Sequence, residues 1–141
     1  MSLQIVEYSS DLYTGLYKLL KDVYNSNINE IDLEKNYINN SKKIYIAMFE
    51  DNIVGCAFLE IKMDYIRAYK YGFISYVAVD ECYRRQGIGK KLVEFVLKVS
   101  KDNECSTVEL TSADHRINAH NFYKTLGFKS KKTTIFIKDP L

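Results

Sequence analysis

The chain has 141 residues, 47% hydrophobic and 27% charged, with a net charge of +2 at pH 7. That length suits one domain, residues 1–141, able to bury about 70% of the surface its unfolded chain exposes. The composition excludes a disordered chain, and so small a net charge gives no reason to expect nucleic acid or an anionic membrane as partner.

No apolar run approaches the roughly 20 residues that cross a bilayer. Residues 1–7 lack the basic start and apolar stretch of a secretion signal. Cys56, Cys82 and Cys105 are odd in number and widely spaced. They argue against a disulfide framework or a zinc site and for a reducing compartment, so the cytoplasm is the expected location.

In chain order, residues 3–8 read as a first strand. Ser9 or Ser10 caps a helix whose apolar positions Leu12, Leu16, Leu19, Leu20 and Val23 recur at helical spacing. A shorter helix follows from Asp32 to about Ile38, weakened by its asparagines. Residues 44–49 and 53–61 are β-prone and flank Asp51-Asn52, which predicts a hairpin. Residues 73–79 form a nearly continuous apolar strand, expected to be buried on both faces.

A glycine turn comes next, then a helix from about Lys90 with Ile88, Leu92, Phe95, Val96 and Val99 on its apolar stripe. Residues 107–110 give another strand, and residues 117–126 a helix stopped by Gly127. Residues 133–137 alternate and close the chain as a last strand. The order β-α-α-β-β-β-α-β-α-β is α+β, or mixed α/β, with a central and largely antiparallel sheet.

The chemistry concentrates in the turn Arg84-Arg85-Gln86-Gly87-Ile88-Gly89. Free amides at a helix N-terminus, with the positive end of the helix dipole, make a site for phosphate. Glycine leaves the amides uncovered and tolerates unusual dihedrals. Arg84, Arg85, Lys90 and Lys91 add four cations suited to a polyanion. Neither common nucleotide motif fits, because Leu92 stands where a dinucleotide fold needs its third glycine and Lys90 is followed by Lys91.

Arg84-x-x-Gly87-x-Gly89 after Tyr76-Val77-Ala78-Val79 resembles the acetyl-CoA signature of the GNAT superfamily of N-acetyltransferases. Residues 116–128, with Tyr123 followed by Lys-Thr-Leu-Gly-Phe, resemble that family's late helix. The resemblance covers nearly the whole chain and is strongest over residues 73–128. It implies a twisted, largely antiparallel sheet with helices on both faces. It also implies an acyl-CoA-dependent N-acetyltransferase that moves an acetyl group from acetyl-CoA, as co-substrate, to a primary amine by direct attack. No metal is implied, nor any nucleophilic cysteine.

Mapped residue by residue, the resemblance gives the pyrophosphate to the amides of Arg85, Gln86, Gly87, Ile88, Gly89 and Lys90, with Arg84 beside them. It gives the pantetheine arm to the backbone of Val77, Ala78 and Val79. Tyr123 becomes the general acid that protonates the departing thiolate. Arg116 stands where many relatives carry asparagine, and approaches the cofactor. Arg116, Ala119 and Tyr123 fall at i, i+3 and i+7, on one helical stripe.

Some members carry a glutamate base where this chain has Phe73. Glu60, Asp64, Glu109 or a water chain remain for that role, and Ser75 could hold a water. His115 and His120 are five apart, poor spacing for a metal, and read as structural or exposed. The acceptor site is expected from the first helices and residues 62–70, which include Tyr65, Arg67 and Tyr69, with Tyr71 just beyond. The acceptor itself is open between small amines and protein amines, and the chain is expected to act as a monomer or homodimer. The rival readings are a non-catalytic acyl-CoA-binding module and a nucleic-acid-associated domain using the basic turn.

Overall fold

A computed structural model describes residues 2–141. The chain packs as two compact units, one ending at Thr111 and the other spanning Ser112–Leu141.

The first unit holds a five-stranded sheet in the order β1 (Leu3–Glu7), β2 (Lys42–Phe49), β3 (Asn52–Asp64), β4 (Tyr69–Val79) and β5 (Thr107–Leu110). The first three pairings are antiparallel and the β4–β5 pairing is parallel. Phe49 pairs with Asn52, so Glu50 and Asp51 make the β2–β3 turn, and Glu50 takes a left-handed φ of 53°. The turn falls one residue before the expected Asp51-Asn52.

Side chains alternate between two faces along each strand. On one face Ile44, Ile46, Cys56, Phe58 and Ala78 form the core with Leu16, Leu19 and Leu20 of helix α1 (Tyr13–Tyr24). The short turn α2 (Glu30–Asp32) and a π-helical turn, Leu33–Tyr37, complete this side. Helix α3 (Ile88–Asp102) covers the opposite face, burying Leu92, Val93, Val96 and Ser100. Gly55 lets α3 come close, since a Cβ there would lie 2.9 Å from the Ala78 carbonyl oxygen and 3.0 Å from Leu92 Cδ1.

Two expectations are corrected. β4 is not buried on both faces, because Ser75 and Tyr76 are exposed where the strand runs beyond its neighbour. Residues 133–137 form no strand among the described residues, so the sheet has five strands rather than six. Their alternation gives strand propensity, but a strand persists only against a hydrogen-bonding neighbour. Here Ile135, Phe136 and Ile137 are 71%, 90% and 84% exposed.

The second unit contains helix α4 (Ile117–Thr125). It ends as expected at Gly127, whose φ of 92° is left-handed. No helix among the described residues is long and apolar enough to cross a membrane.

Candidate functional site

The site begins where β4 outruns β5. Only Tyr71, Gly72, Phe73 and Ile74 pair with β5, which leaves residues 75–79 without a strand on that side. Leu59 pairs with Ile74 and Phe58 with Tyr76, so Ser75 is the extra residue of a β-bulge. Beyond the bulge, the Asp80 amide donates to the Val54 carbonyl, towards β3. The two-residue period then points the backbone groups of Val77 and Val79 to the open side.

Side chains cap both of those carbonyls. Tyr24 Oη donates to Val77 at 3.0 Å, and Arg84 Nε donates to Val79 at 3.3 Å. Ala78, between them, is buried in the core.

The chain then turns into α3. The Asp80 carboxylate accepts from the Cys82 amide at 2.8 Å and shapes a 3-10 turn, Glu81–Tyr83. Arg85 holds a left-handed φ of 63°, and Gly87, with φ of 78°, is the N-cap of α3. The cap has no side chain and α3 carries no side-chain capping bond, so no capping side chain occupies its first amides. A Cβ on Gly87 would meet nothing within 4 Å. Gly87 is therefore required by its backbone conformation rather than by crowding. Gly89 lies inside the helix, which starts at Ile88 and not near Lys90. Arg84, Arg85, Gln86 and Lys90 are exposed around this terminus. An uncapped, cationic helix start following an edge that no strand covers fits a ligand with a phosphate at one end and amides along its length.

Tyr123 and Arg116 lie in the second unit. Arg116 is the N-cap of α4, and Tyr123 packs between Phe122 and Phe128, with ring centroids 5.1 and 5.7 Å away. Burial pushes the Tyr123 phenol above its usual value of 10, and the positive charge of Arg116 opposes that rise. The two residues are thus electrostatic neighbours, although Arg116, with ψ of 66°, precedes the helical stripe on which Tyr123 lies. His120 Nε2 is tied to the Ala113 carbonyl at 2.9 Å, and no cluster suited to a metal occurs among the described residues.

The remaining candidates separate clearly. Asp64 is used by the β3–β4 turn, where it accepts from the Ile66 and Arg67 amides and from the Arg67 side chain. Those bonds, the Arg67 amide foremost, hold its carboxyl below the ordinary range. Tyr65 and Arg67 share that exposed turn, at the opposite end of β4 from residues 75–79. Cys56 is wholly buried, which pushes its thiol up to about 12, while Cys82 is exposed in the turn before α3. Tyr24 was not singled out by the sequence. Its contact spans 53 residues, and no local pattern announces it.

The sequence matches the acetyltransferase (GNAT) family over residues 13–128, a span that includes parts of both units. It is 31% identical over 88 residues to N-alpha-acetyltransferase 30 of Xenopus laevis, covering 62% of this chain and 32% of that protein. It is 26% identical over 136 residues to human N-acetyltransferase 8, covering 92% and 60%. The chain thus spans about a third of the length of the first of these relatives. The fold matches an aminoglycoside N-acetyltransferase solved with CoA at a TM-score of 0.87, with 18% identity and coverage of 99% of this chain and 96% of that one. With the family's sequence match running from α1 to the residue after Gly127, the chain belongs to the acetyltransferase (GNAT) family.

Proposed function

We propose that this protein transfers an acetyl group from acetyl-CoA to a primary amine by direct attack, without a covalent enzyme intermediate. One observation carries the reading: the edge of β4 that no strand covers leads through Gly87 directly into the uncapped start of α3. Acetyl-CoA supplies an activated thioester. In this reading Val77, Ala78 and Val79 present the edge along which its pantetheine arm lies. The amides from Arg85 to Lys90, with the charge of Arg84, hold its pyrophosphate.

Tyr123 serves as the acid that protonates the thiolate. The phenol is protonated at neutral pH, as an acid must be, and the Arg116 charge counters the rise that burial imposes on its pKa and so favours proton release. Arg116 steadies negative charge near that phenol. The protein acts in the cytoplasm, as a monomer or homodimer.

Calorimetric titration of acetyl-CoA into the protein and into a Gly89→Val variant tests the assignment. Micromolar or tighter binding at one site per chain, lost in the variant, is the expected result. Absence of binding to the folded protein refutes it. Binding without turnover across a panel of amines leaves only an acyl-CoA-binding module.

A further inference from the structure

Resting on that reading, we propose that Glu60 of β3 receives the proton released by the acceptor amine, through Ser75 and Tyr37. The starting point is a row of residues across the sheet. Lys42 of β2 pairs with Glu60, Glu60 with Phe73 of β4, and Phe73 with Glu109 of β5. Residues in register share a face, so Phe73 has a carboxylate on either side of it. A carboxyl group absent from β4 at this level is present one strand away, about 4.8 Å to the side.

The shared face is the one opposite α3, on which α1 and the π-helical turn pack. α3 fills the other, where a Cβ on Gly72 would lie 2.6 Å from Ser100 Oγ. On the Glu60 face Ser75 and Tyr76 are exposed beside the open edge. A run of rings leads from that edge back to Glu60. Tyr24 meets Tyr76 at 5.3 Å, Tyr76 meets Phe58 at 5.9 Å, and Phe58 meets Tyr37 at 5.5 Å.

Tyr37 stands at the Glu60 end of this run, its ring beside Phe58 and beneath the ammonium of Lys42, the residue paired with Glu60. Burial raises its phenol pKa, a hydrogen bond with Ser75 lowers it and the Glu60 charge raises it. Ser75 belongs to the bulge at the start of the open edge, whereas Glu60 sits one residue pair further along β3 than Phe58 and Leu59.

The charged and titratable groups facing Glu60 are few. Lys42 comes from β2 and Lys62 from the next same-face position of β3, while Tyr37 comes from the π-helical turn. β4 contributes Phe73 and Tyr71, with Glu109 beyond on β5. Both lysines are turned onto rings, Lys42 over Tyr37 at 5.7 Å and Lys62 over Phe73 at 5.1 Å. Among the described residues no salt bridge holds the Glu60 carboxylate.

The proton balance is simple. An ammonium acceptor loses two protons on becoming an amide. One balances the proton taken up by the thiol sulfur as the C–S bond breaks and the C–N bond forms. The other passes to the Glu60 carboxylate and then to water.

The test compares Glu60→Gln, Glu60→Asp and Glu109→Gln with the parent protein across pH. Glu60→Gln is expected to lower kcat/KM for the amine about 100-fold or more and to remove the acidic limb of its pH profile. Glu60→Asp restores part of the rate and the limb, and Glu109→Gln leaves both within about twofold. A readout independent of activity is ultraviolet titration of Tyr37, identified by difference from Tyr37→Phe. Its phenol ionises at lower pH once the Glu60 charge is removed.

Acetyl-CoA affinity, measured calorimetrically, is expected to be unchanged in all three variants. Loss of binding in the parent protein would refute the broader reading. Intact transfer with an unchanged profile in Glu60→Gln, or the main effect in Glu109→Gln, overturns this inference alone. If Glu60→Gln does not fold, Ser75→Ala at an exposed position carries the test. A loss of about tenfold in kcat/KM with unchanged acetyl-CoA affinity supports the path, and no loss overturns it.

Discussion

Replacing Gly87 by alanine isolates the backbone requirement of the turn. The N-cap of α3 sits at φ 78°, and an added Cβ meets nothing within 4 Å, so steric crowding contributes nothing. What remains is the penalty of about 1–2 kcal/mol for placing an L-residue in the left-handed region. Alanine also stiffens the unfolded chain, which offsets about 0.4–1 kcal/mol. Taking the middle of each range, the expected net loss is about 0.8 kcal/mol, or a fall in melting temperature of about 2–4 °C for a chain of this size. Asparagine tolerates the same region far better, so Gly87→Asn should stay within about 0.5 kcal/mol of the parent. Urea unfolding followed by far-ultraviolet circular dichroism measures both variants. Equal losses in the alanine and asparagine variants, or none in either, would refute the reasoning.

Two further outcomes follow from packing and titration. Gly55→Ala places a methyl 2.9 Å from a backbone oxygen that no rotamer can move aside, and should destabilise the protein by about 1–3 kcal/mol in thermal melts. Burial, and then the nearby Glu34 carboxylate, raise the Tyr8 phenol from 10.0 to about 12. The unfolded chain therefore releases this proton first as pH rises. The stability held by neutral Tyr8 is complete below about pH 10 and lost by about pH 12. Tyr8→Phe should flatten the fall of the urea midpoint across that window.

Much of the architecture is legible in local sequence because it depends on local patterns. The stripe of α1, the hairpin of β2 and β3, and the stop at Gly127 each follow from spacing and turn chemistry. α3 starts at Ile88, two residues before the start its pattern suggests, since Gly89 looks like part of the turn although only Gly87 needs a left-handed backbone. Exposure of Ser75 and Tyr76 was not legible, because it depends on β5 ending its pairing at Leu110, a property of the neighbour. Residues 133–137 show the same limit from the other side, with a strand pattern and no ladder.

At the candidate site, the cationic glycine turn is readable as residues in a row. The placement of Glu60 and Glu109 beside Phe73 was not. It arises from register between strands far apart in sequence, and only the assembled sheet displays it.

The caps on Val77 and Val79 have a consequence for solubility. A bare strand edge invites any extended chain to add to it, the usual first step of edge-to-edge aggregation. Folded proteins often discourage this with charge or bulk. Here a tyrosine and an arginine sit on the two outward carbonyls, with a bulge at the near end of the edge. With both outward carbonyls already accepting a side-chain hydrogen bond, an edge that lacks a neighbour in the sheet stays closed to foreign strands.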